Sequence, residues 1–267
     1  MTKLEQILAN VQNTKDFRNA VDCISQEFHN YQGEEDIPFE EDDLENFCYD
    51  NSDAFTTFSW ASGASKICII CDSYDGNDYV LKTAYCGYAY EPEDDEGEPI
   101  PGADWEFEDY HGADECRVEY LVYRAAVAAG LGHFFAETIK LDIGVYMQEK
   151  YDCPVDSADV MLRIGYTLLD RVYDEDYPMM FNRDKVSKLV QESGLNDFYR
   201  HLRCNAKSFM LFYDRYGLQE LLRLQDFLEE YDINDLHASN IGIFGNDVKF
   251  VDYCGYGSTT SIQVGAA

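Results

Sequence analysis

The sequence predicts an α+β fold in two parts, a small β-rich part followed by a mainly helical part. Three short segments at residues 55–60, 66–72 and 79–85 have the composition of strands and are separated by turn-forming residues. After Tyr151, apolar residues recur at three- and four-residue spacing over long stretches, which is typical of amphipathic helices. With 267 residues, of which 46% are apolar, the chain can bury one large core or two modest ones.

A helical N-terminus is expected to precede the β-rich part. Leu4, Ile7 and Val11 begin an apolar pattern at helical spacing that predicts a helix over residues 1–31, and the acidic segment 33–45 is expected to be a loop. After the three strands, residues 86–112 are rich in Gly, Pro, Asp and Glu and indicate an insertion or a mobile loop. The remaining predicted elements are a helix over residues 115–129 that ends at Gly130, and strands over residues 138–142 and 144–149.

The second part is expected to be helical until its last two strands. The predicted elements are helices over residues 156–174, 185–192, 206–216 and 219–231, then strands over 241–244 and 248–251 joined by a turn at 245–247. The expected organisation is therefore an N-terminal helical extension with an acidic loop (1–50), a β-rich lobe of five strands and one helix (51–150), and a helical lobe (151–267).

The formal net charge of −32 restricts the partners of the protein. A phosphate backbone would be repelled, so direct binding of nucleic acid is not expected. A solvated acidic surface is the interpretation that we favour, since the carboxylates are only partly clustered. Attraction to a basic partner, or mimicry of nucleic acid, stays open as the second interpretation.

The sequence also indicates a cytoplasmic location. It contains no apolar run of about 18 residues, so no membrane-spanning helix and no membrane partner are expected. Its N-terminus has no basic region followed by an apolar stretch, so no signal peptide is expected. The nine cysteines are therefore expected to be reduced. Cys68 and Cys71 form a C-x-x-C in a predicted strand, where they would face opposite sides, so we interpret them as small buried hydrophobic residues rather than metal ligands.

Three polar residues near the C-terminus have the chemistry of a metal and phosphate site. Asp235 and Asn240 lie five residues apart between a predicted helix and a predicted strand, and Asp252 follows the hairpin that begins after Asn240. This order can bring an amide and two carboxylates to one place. Carboxylate and amide oxygens are suitable ligands for Mg²⁺ beside phosphate groups.

These segments resemble those of a known family. Residues 235–240, Asp-Leu-His-Ala-Ser-Asn, resemble the D-x-H-x-x-N motif of aminoglycoside-phosphotransferase-like kinases and of early protein kinases of podophages. Residues 251–253, Val-Asp-Tyr, resemble the segment that contains D-F-G in protein kinases. Ile233 and Asn234 depart from the pattern, since His-Arg or His-Gly usually stands there.

The resemblance implies a two-lobed protein kinase-like fold with a small β-rich N-lobe and a shortened helical C-lobe, and it implies ATP and Mg²⁺ as cofactors. Asp235 would orient the attacking hydroxyl, and His237 would steady the catalytic loop. Asn240 and Asp252 would hold the magnesium ion.

The same resemblance assigns roles in the N-lobe. Lys82, in the third strand, would contact phosphates, and Glu119 on the following helix would pair with it; Glu115 is the second choice. Glu149 and Tyr151 would belong to the hinge whose backbone groups bind adenine.

A turn of small residues precedes the second predicted strand. Gly63 and Ser65 could let backbone N–H groups approach phosphates. Only one glycine stands where the kinase loop has three, so an ordinary hairpin turn is an equal alternative.

Fifteen residues follow Asp252, which leaves no room for an activation segment. The resemblance therefore implies a compact serine/threonine-type protein kinase of phage or mobile-element origin, located in the cytoplasm of the host. The acidic charge of the chain would suit a basic protein substrate. A small-molecule substrate and nucleotidyl transfer stay open. The alternative is a catalytically inactive kinase-like binding protein, or an acidic nucleic-acid-mimic decoy, acting on a basic partner.

Overall fold

The computed structural model describes residues 1–26, 41–51, 59–62, 66–71, 77–84, 87–90, 106–109, 115–155, 183–234 and 236–253. The chain forms two compact units. The first contains Met1–Tyr120 and Glu137–Glu149, and the second contains Leu121–Ala136 and Lys150–Ala267. Helices and antiparallel strands both occur, so the protein is of the mixed α+β class.

The helices of the described ranges vary in length from 6 to 25 residues. They are α1 (Lys3–Val11), α2 (Lys15–Gln26), α3 (Glu41–Asp50), α4 (Glu115–Ala128), α5 (Arg183–Ser193), α6 (Asn196–His201) and α7 (Ala206–Glu230), with short 3₁₀ turns at Gly132–Phe134 and Ala238–Asn240. None of the helices in these ranges combines the length and the apolar character needed to cross a membrane.

Three antiparallel sheets contain the strands of the described residues. The strands are β1 (Ser59–Ser62), β2 (Lys66–Cys71), β3 (Tyr79–Ala84), β4 (Gly87–Tyr90), β5 (Glu106–Asp109), β6 (Thr138–Asp142), β7 (Val145–Glu149), β8 (Cys153–Pro154), β9 (Ile241–Phe244) and β10 (Asp247–Phe250). The sheet of the first unit has the order β1-β2-β3-β7-β6, a three-stranded sheet has the order β10-β9-β8, and β4 pairs with β5.

The five-stranded sheet has two chemically different faces. Lys82 of β3 lies opposite Cys68 of β2 and Tyr146 of β7, so these three side chains share one face. The neighbouring position, Leu81, is opposite Ile69 and Met147, which share the other face. The second face is apolar and belongs to a core cluster of the first unit.

The three N-terminal helices cover this apolar face. Leu4 of α1, Ile24 of α2 and Phe47 of α3 are almost completely buried in the same cluster as the sheet residues. The ring of Phe17 packs edge-on against that of Tyr79, with a centroid distance of 5.7 Å. Because burial of each such side chain contributes about 1.5–3 kcal/mol, the N-terminal region is an integral part of the first unit's core.

The prediction of one continuous helix over residues 1–31 is wrong, since the chain turns between α1 and α2. Thr14 interrupts the helix: its hydroxyl donates to the carbonyl of Val11 at 2.8 Å and accepts the N–H of Phe17 at 3.4 Å. A short polar side chain that bonds to nearby backbone groups in this way competes with helical hydrogen bonds. Residues 27–31 lie outside the described ranges.

Two predicted loops contain regular structure. Residues 41–45 of the predicted acidic loop form the first half of α3. Within residues 86–112, β4 and β5 form an antiparallel pair with Gly87 opposite Asp109. The other residues of both predicted loops lie outside the described ranges.

The predicted strands of the large sheet agree closely with the structure. The predicted strands over residues 66–72, 79–85, 138–142 and 144–149 correspond to β2, β3, β6 and β7 within one residue at each end. Ala61 and Ser62, which were expected in a turn, belong to β1. The predicted helix over residues 115–129 corresponds to α4, and Gly130 follows it with a φ of +73°.

The second unit contains α5, α6, α7 and the β9–β10 hairpin. The predicted helices over residues 206–216 and 219–231 are the two halves of α7, which is kinked at Gly217 with a non-helical φ of 76°. The core of the second unit is aromatic: the rings of Phe212 and Phe250 stack with a centroid distance of 4.7 Å, and the ring centroid of Phe135 lies 5.5 Å from that of Phe250. The predicted helix over residues 156–174 lies outside the described ranges.

Four helices of the described chain end in the same hydrogen-bonded motif, in which a residue of positive φ follows the helix. Two of these residues are glycines, Gly130 and Gly194, whereas Arg203 and Asp232 have side chains. After α7, the N–H of Ile233 donates to the carbonyl of Leu228 at 2.9 Å, and the N–H of Asp232 donates to that of Glu229 at 3.3 Å.

Candidate functional site

A buried carboxylate that contacts two lysines is the main polar feature of the first unit. Lys66 Nζ donates to Oε1 of Glu119 at 2.6 Å, and Lys82 Nζ donates to Oε2 of the same residue at 3.0 Å. Glu119 is fully buried and each lysine is 5% exposed. Each oxygen of one carboxylate thus holds a different ammonium group.

Strand register and helix periodicity produce this arrangement. Lys66 lies opposite Ala84, two residues from Lys82, so the two lysines are diagonal neighbours on one face of the sheet. On α4, Cys116, Glu119 and Val122 recur at three-residue spacing and are all buried. The inner side of α4 therefore presents Glu119 to the two lysines.

Aromatic and hydrogen-bonded side chains surround the ion pairs. Tyr146, opposite Lys82, packs with Cys116 and lies 6.0 Å from the ring of Tyr120. On the same sheet, Gln148 Nε2 donates to Oγ1 of Thr138 at 3.2 Å, and both side chains are buried. Water is thus largely excluded, and a buried ion pair of this kind is costly to break because the remaining charge loses its partner.

The sequence pointed to Lys82 and Glu119, but it did not single out Lys66. A lysine at the first position of a strand usually extends its ammonium group into solvent. The available signal was the position of Lys66 two residues before Cys68, which places it on the same face as Lys82 once the β2–β3 register is known. That register depends on pairing between segments separate in sequence.

The two residues assigned to a hinge belong to different units. Glu149 ends β7, is 7% exposed, and donates its N–H to the carbonyl of Glu137 at 3.0 Å, so this N–H is used within the first unit. Tyr151, in the second unit, packs edge-on against Phe244 with a centroid distance of 6.3 Å. A Cβ added at Gly242 would lie only 2.6 Å from the Cβ of Tyr151, so this position requires glycine.

In the second unit, the end of the β9–β10 hairpin brings Asn240 and Asp252 close together. The carbonyl of Asn240 accepts the N–H of Val251 at 2.9 Å and that of Asp252 at 3.5 Å. The N–H of Asn240 donates to the carbonyl of His237 at 2.9 Å, which closes the 3₁₀ turn before β9. His237, Asn240 and Asp252 are all partly exposed.

Asp252 lies between two buried residues. Val251 is 6% exposed, and Tyr253 is fully buried with its hydroxyl donating to the carbonyl of Ala136 at 3.3 Å. The ring of Tyr253 also packs edge-on against Phe135 at 5.0 Å. These contacts hold the backbone on both sides of Asp252.

Three of the residues that the sequence assigned to the site, Asp235, Gly63 and Ser65, lie outside the described ranges. Ile233, two residues before Asp235, and Leu236, one residue after it, are fully buried. Among the side chains that the structure describes, no three His, Cys, Asp or Glu residues form a group that could hold a metal ion.

No protein-family model and no curated protein matches the sequence. The resemblance to kinases thus depends on residues 235–240 and 251–253, on the positions of Lys82 and Glu119, and on the order of the elements that carry them.

Proposed function

We propose that the protein is an ATP- and Mg²⁺-dependent phosphotransferase with a protein kinase-like fold. The observation that carries the proposal is the buried contact between Lys82 on the third strand of the large sheet and Glu119 on the helix that follows it. A lysine that binds ATP phosphates needs its ammonium group held at a fixed position, and a buried carboxylate provides this.

The remaining roles follow the kinase-like motifs. Asn240 and Asp252 would bind Mg²⁺, which suits the amide and carboxylate that the hairpin brings together. Asp235 would orient the attacking hydroxyl and His237 would steady the loop that contains both residues. Glu149 and Tyr151 would flank the adenine, and the turn with Gly63 and Ser65 would cover the phosphates.

The proposed fold has a small β-rich N-lobe and a shortened helical C-lobe, and the proposed enzyme is a compact serine/threonine-type protein kinase of phage or mobile-element origin that acts in the cytoplasm. The net charge of −32 supports a basic protein as the substrate, because opposite charge accelerates encounter and favours binding. The same charge supports the second candidate, an inactive kinase-like binding protein or decoy for a basic partner.

Labelled ATP distinguishes the two candidates. The purified protein is incubated with Mg²⁺, a mixture of basic proteins and ATP labelled on the γ-phosphate, and transfer is compared with that of Lys82→Met and Asp235→Ala. Label on protein that is lost in both variants supports the kinase. Label transferred only from the α-phosphate indicates nucleotidyl transfer instead.

A binding measurement completes the test. If neither ATP nor ATP with Mg²⁺ raises the melting temperature of the wild-type protein, and no label is transferred, the phosphotransferase proposal is wrong. Binding to basic proteins that persists in Lys82→Met and Asp235→Ala would then favour the decoy. Label on small cationic molecules but not on protein would support the proposed phosphoryl transfer with a small molecule, rather than a protein, as the substrate.

A further inference from the structure

We infer that Lys66 is a positioning residue of the proposed phosphate site, acting on Lys82 through the carboxylate of Glu119. The inference rests on the proposed function and extends it to a residue that the kinase-like motifs do not include. It is based on the observation that the two oxygens of the Glu119 carboxylate contact different lysines.

The contact distances indicate which lysine holds the carboxylate more closely. Lys66 Nζ lies 2.6 Å from Oε1, whereas Lys82 Nζ lies 3.0 Å from Oε2. Both ammonium groups are nearly inaccessible to solvent, so the attraction to the carboxylate is weakly screened. Lys66 therefore supplies a large part of the charge that compensates Glu119.

This arrangement affects how Lys82 responds to a phosphate. To bind an anionic ligand, Lys82 has to share its ammonium group between that ligand and Glu119. With Lys66 on Oε1, part of the carboxylate's charge is already compensated, which weakens its hold on Lys82. Without Lys66, Glu119 attracts Lys82 more strongly, and the ligand competes less well for it.

The diagonal placement of the lysines supports the same conclusion. Two positive charges on neighbouring strands repel one another, and this repulsion directs each ammonium group to its own oxygen of Glu119. Lys66 thus restricts Lys82 to Oε2. Replacing Lys66 with an uncharged residue removes that restriction, and Lys82 is then able to contact both oxygens.

The test is steady-state kinetics with ATP, together with calorimetric binding of Mg²⁺-ATP, for the wild-type protein, Lys66→Met and Lys66→Arg. Lys66→Met is expected to raise KM and Kd for ATP about tenfold while kcat changes by less than about threefold, because binding is lost equally in the ground state and the transition state. Lys66→Arg retains the charge and is expected to restore most of the affinity.

Repeating the Lys66→Met substitution in the Glu119→Gln variant separates this role from a purely structural one. In Glu119→Gln, the carboxylate through which Lys66 is inferred to act is absent, so adding Lys66→Met is expected to leave KM for ATP unchanged. An equal increase in KM from Lys66→Met in both backgrounds would overturn the inference, as would an unchanged KM and Kd in Lys66→Met alone. If Lys66→Met does not fold, Lys66→Gln provides the same comparison with a neutral hydrogen-bond donor.

The outcomes for the wild-type protein separate the two proposals. A wild-type protein that neither binds nor turns over ATP overturns both the phosphotransferase and the role of Lys66. A wild-type protein that does both, with variants that show no coupling between positions 66 and 119, overturns the role of Lys66 alone.

Discussion

The carbonyl of Asn240 accepts the backbone N–H of Val251 at 2.9 Å, and this bond extends the pairing of β9 and β10 by one residue beyond both strands. Asn240 and Asp252 consequently lie at the same end of the hairpin. The opposite end is the turn after Phe244, where Asp247 begins β10.

This geometry predicts that Asp252 and Asp247 differ in their effect on magnesium. Asp252→Asn is expected to reduce the Mg²⁺-dependent part of ATP binding by at least about tenfold, because a carboxylate ligand of the proposed metal site is lost. Calorimetric titration of ATP with and without Mg²⁺ measures this part directly.

Asp247→Asn is the matched control. It makes the same chemical change in the same hairpin, and its carboxylate pairs with Arg215 at the surface, where ion pairs contribute little. Equal loss of magnesium dependence in the two variants would contradict the assignment of Asp252 as a metal ligand.

Because two lysines share the carboxylate of Glu119, removing Glu119 and removing one lysine are expected to lower the stability by different amounts. Glu119→Ala is expected to lower the free energy of unfolding by about 3–5 kcal/mol, because two buried ammonium groups lose a common partner. Lys82→Met is expected to cost less, since Lys66 still contacts Glu119. Urea unfolding followed by circular dichroism measures both.

A triple variant provides the control for these costs. Replacing all three charges with Met at 66 and 82 and Leu at 119 removes every buried charge of the cluster, and the unfolding free energy is expected to recover to within about 2 kcal/mol of the wild type. Equal costs for Glu119→Ala and Lys82→Met would show that the lysines do not share Glu119 in solution.

Close approach of Tyr151 predicts that Gly242 does not tolerate a side chain. A methyl group there would meet Cβ and Cγ of Tyr151 at 2.6 and 2.8 Å, so Gly242→Ala is expected to destabilise the second unit by about 1–3 kcal/mol. Gly245→Asn in the same hairpin is the control, because nothing lies within 4 Å of its added Cβ and Asn tolerates the positive φ of +61°. Thermal unfolding followed by circular dichroism compares them, and similar losses would argue against the contact.

Two residues that directly follow helices are expected to give stability changes of opposite sign when they are substituted. Asp232 occupies a left-handed conformation after α7 with a φ of 51°, which glycine adopts more easily, so Asp232→Gly is expected to stabilise the protein by a few tenths to about 1 kcal/mol. Gly194→Ala at the equivalent position after α5 is expected to destabilise by about 1 kcal/mol, since its φ is +74° and its Cβ would meet no atom. Chemical unfolding of both variants should give changes of opposite sign; the same sign for both would contradict the motif.

The environment of Glu137 predicts a pH-dependent effect on stability. Partial burial raises the pKa of its carboxyl, nearby Glu149 and Glu5 raise it further, and the hydroxyl of Thr2, which donates to Oε1 at 2.6 Å, opposes them. A carboxyl whose pKa is raised by folding destabilises the folded state when ionised, and this cost disappears as pH falls below the unfolded pKa of about 4.3.

Glu137→Gln is accordingly expected to be more stable than the wild type at pH 7, and the difference is expected to shrink as the pH falls through the raised pKa and to vanish below about pH 4. Urea unfolding at several pH values between 7 and 3.5 measures the difference. A difference that stays constant over this interval would show that ionisation of Glu137 is not its cause.

Local patterns were sufficient to predict much of the secondary structure. Strand-like composition between turn-forming residues predicted β2 and β3, helical spacing predicted α4, and Gly130 correctly marked its end. Elements that depend on pairing between segments separate in sequence were missed: β8 is only two residues long and exists because Cys153 pairs with Ile243. The short helix α6 was not predicted, and Arg203 rather than a glycine adopts the left-handed conformation after it.

For the candidate site, sequence motifs supplied the individual residues but not their environment. A single glutamate on a helix is usually exposed to solvent, yet Glu119 is fully buried. Its burial follows from the packing of α4 on the sheet, and the presence of Lys66 beside it follows from the β2–β3 register. Neither property is encoded in the residues next to Glu119.

The packing of α1 and α2 on the apolar face of the large sheet has a consequence for biosynthesis. These helices leave the ribosome well before β6 and β7, whose side chains complete the same core and which end only at Glu149. At about 5–20 residues per second, their translation follows that of α2 by roughly ten seconds. During this interval Leu4, Phe17 and Ile24 lack part of their native surroundings, so nascent chains of the first unit are expected to be substrates for ribosome-associated chaperones.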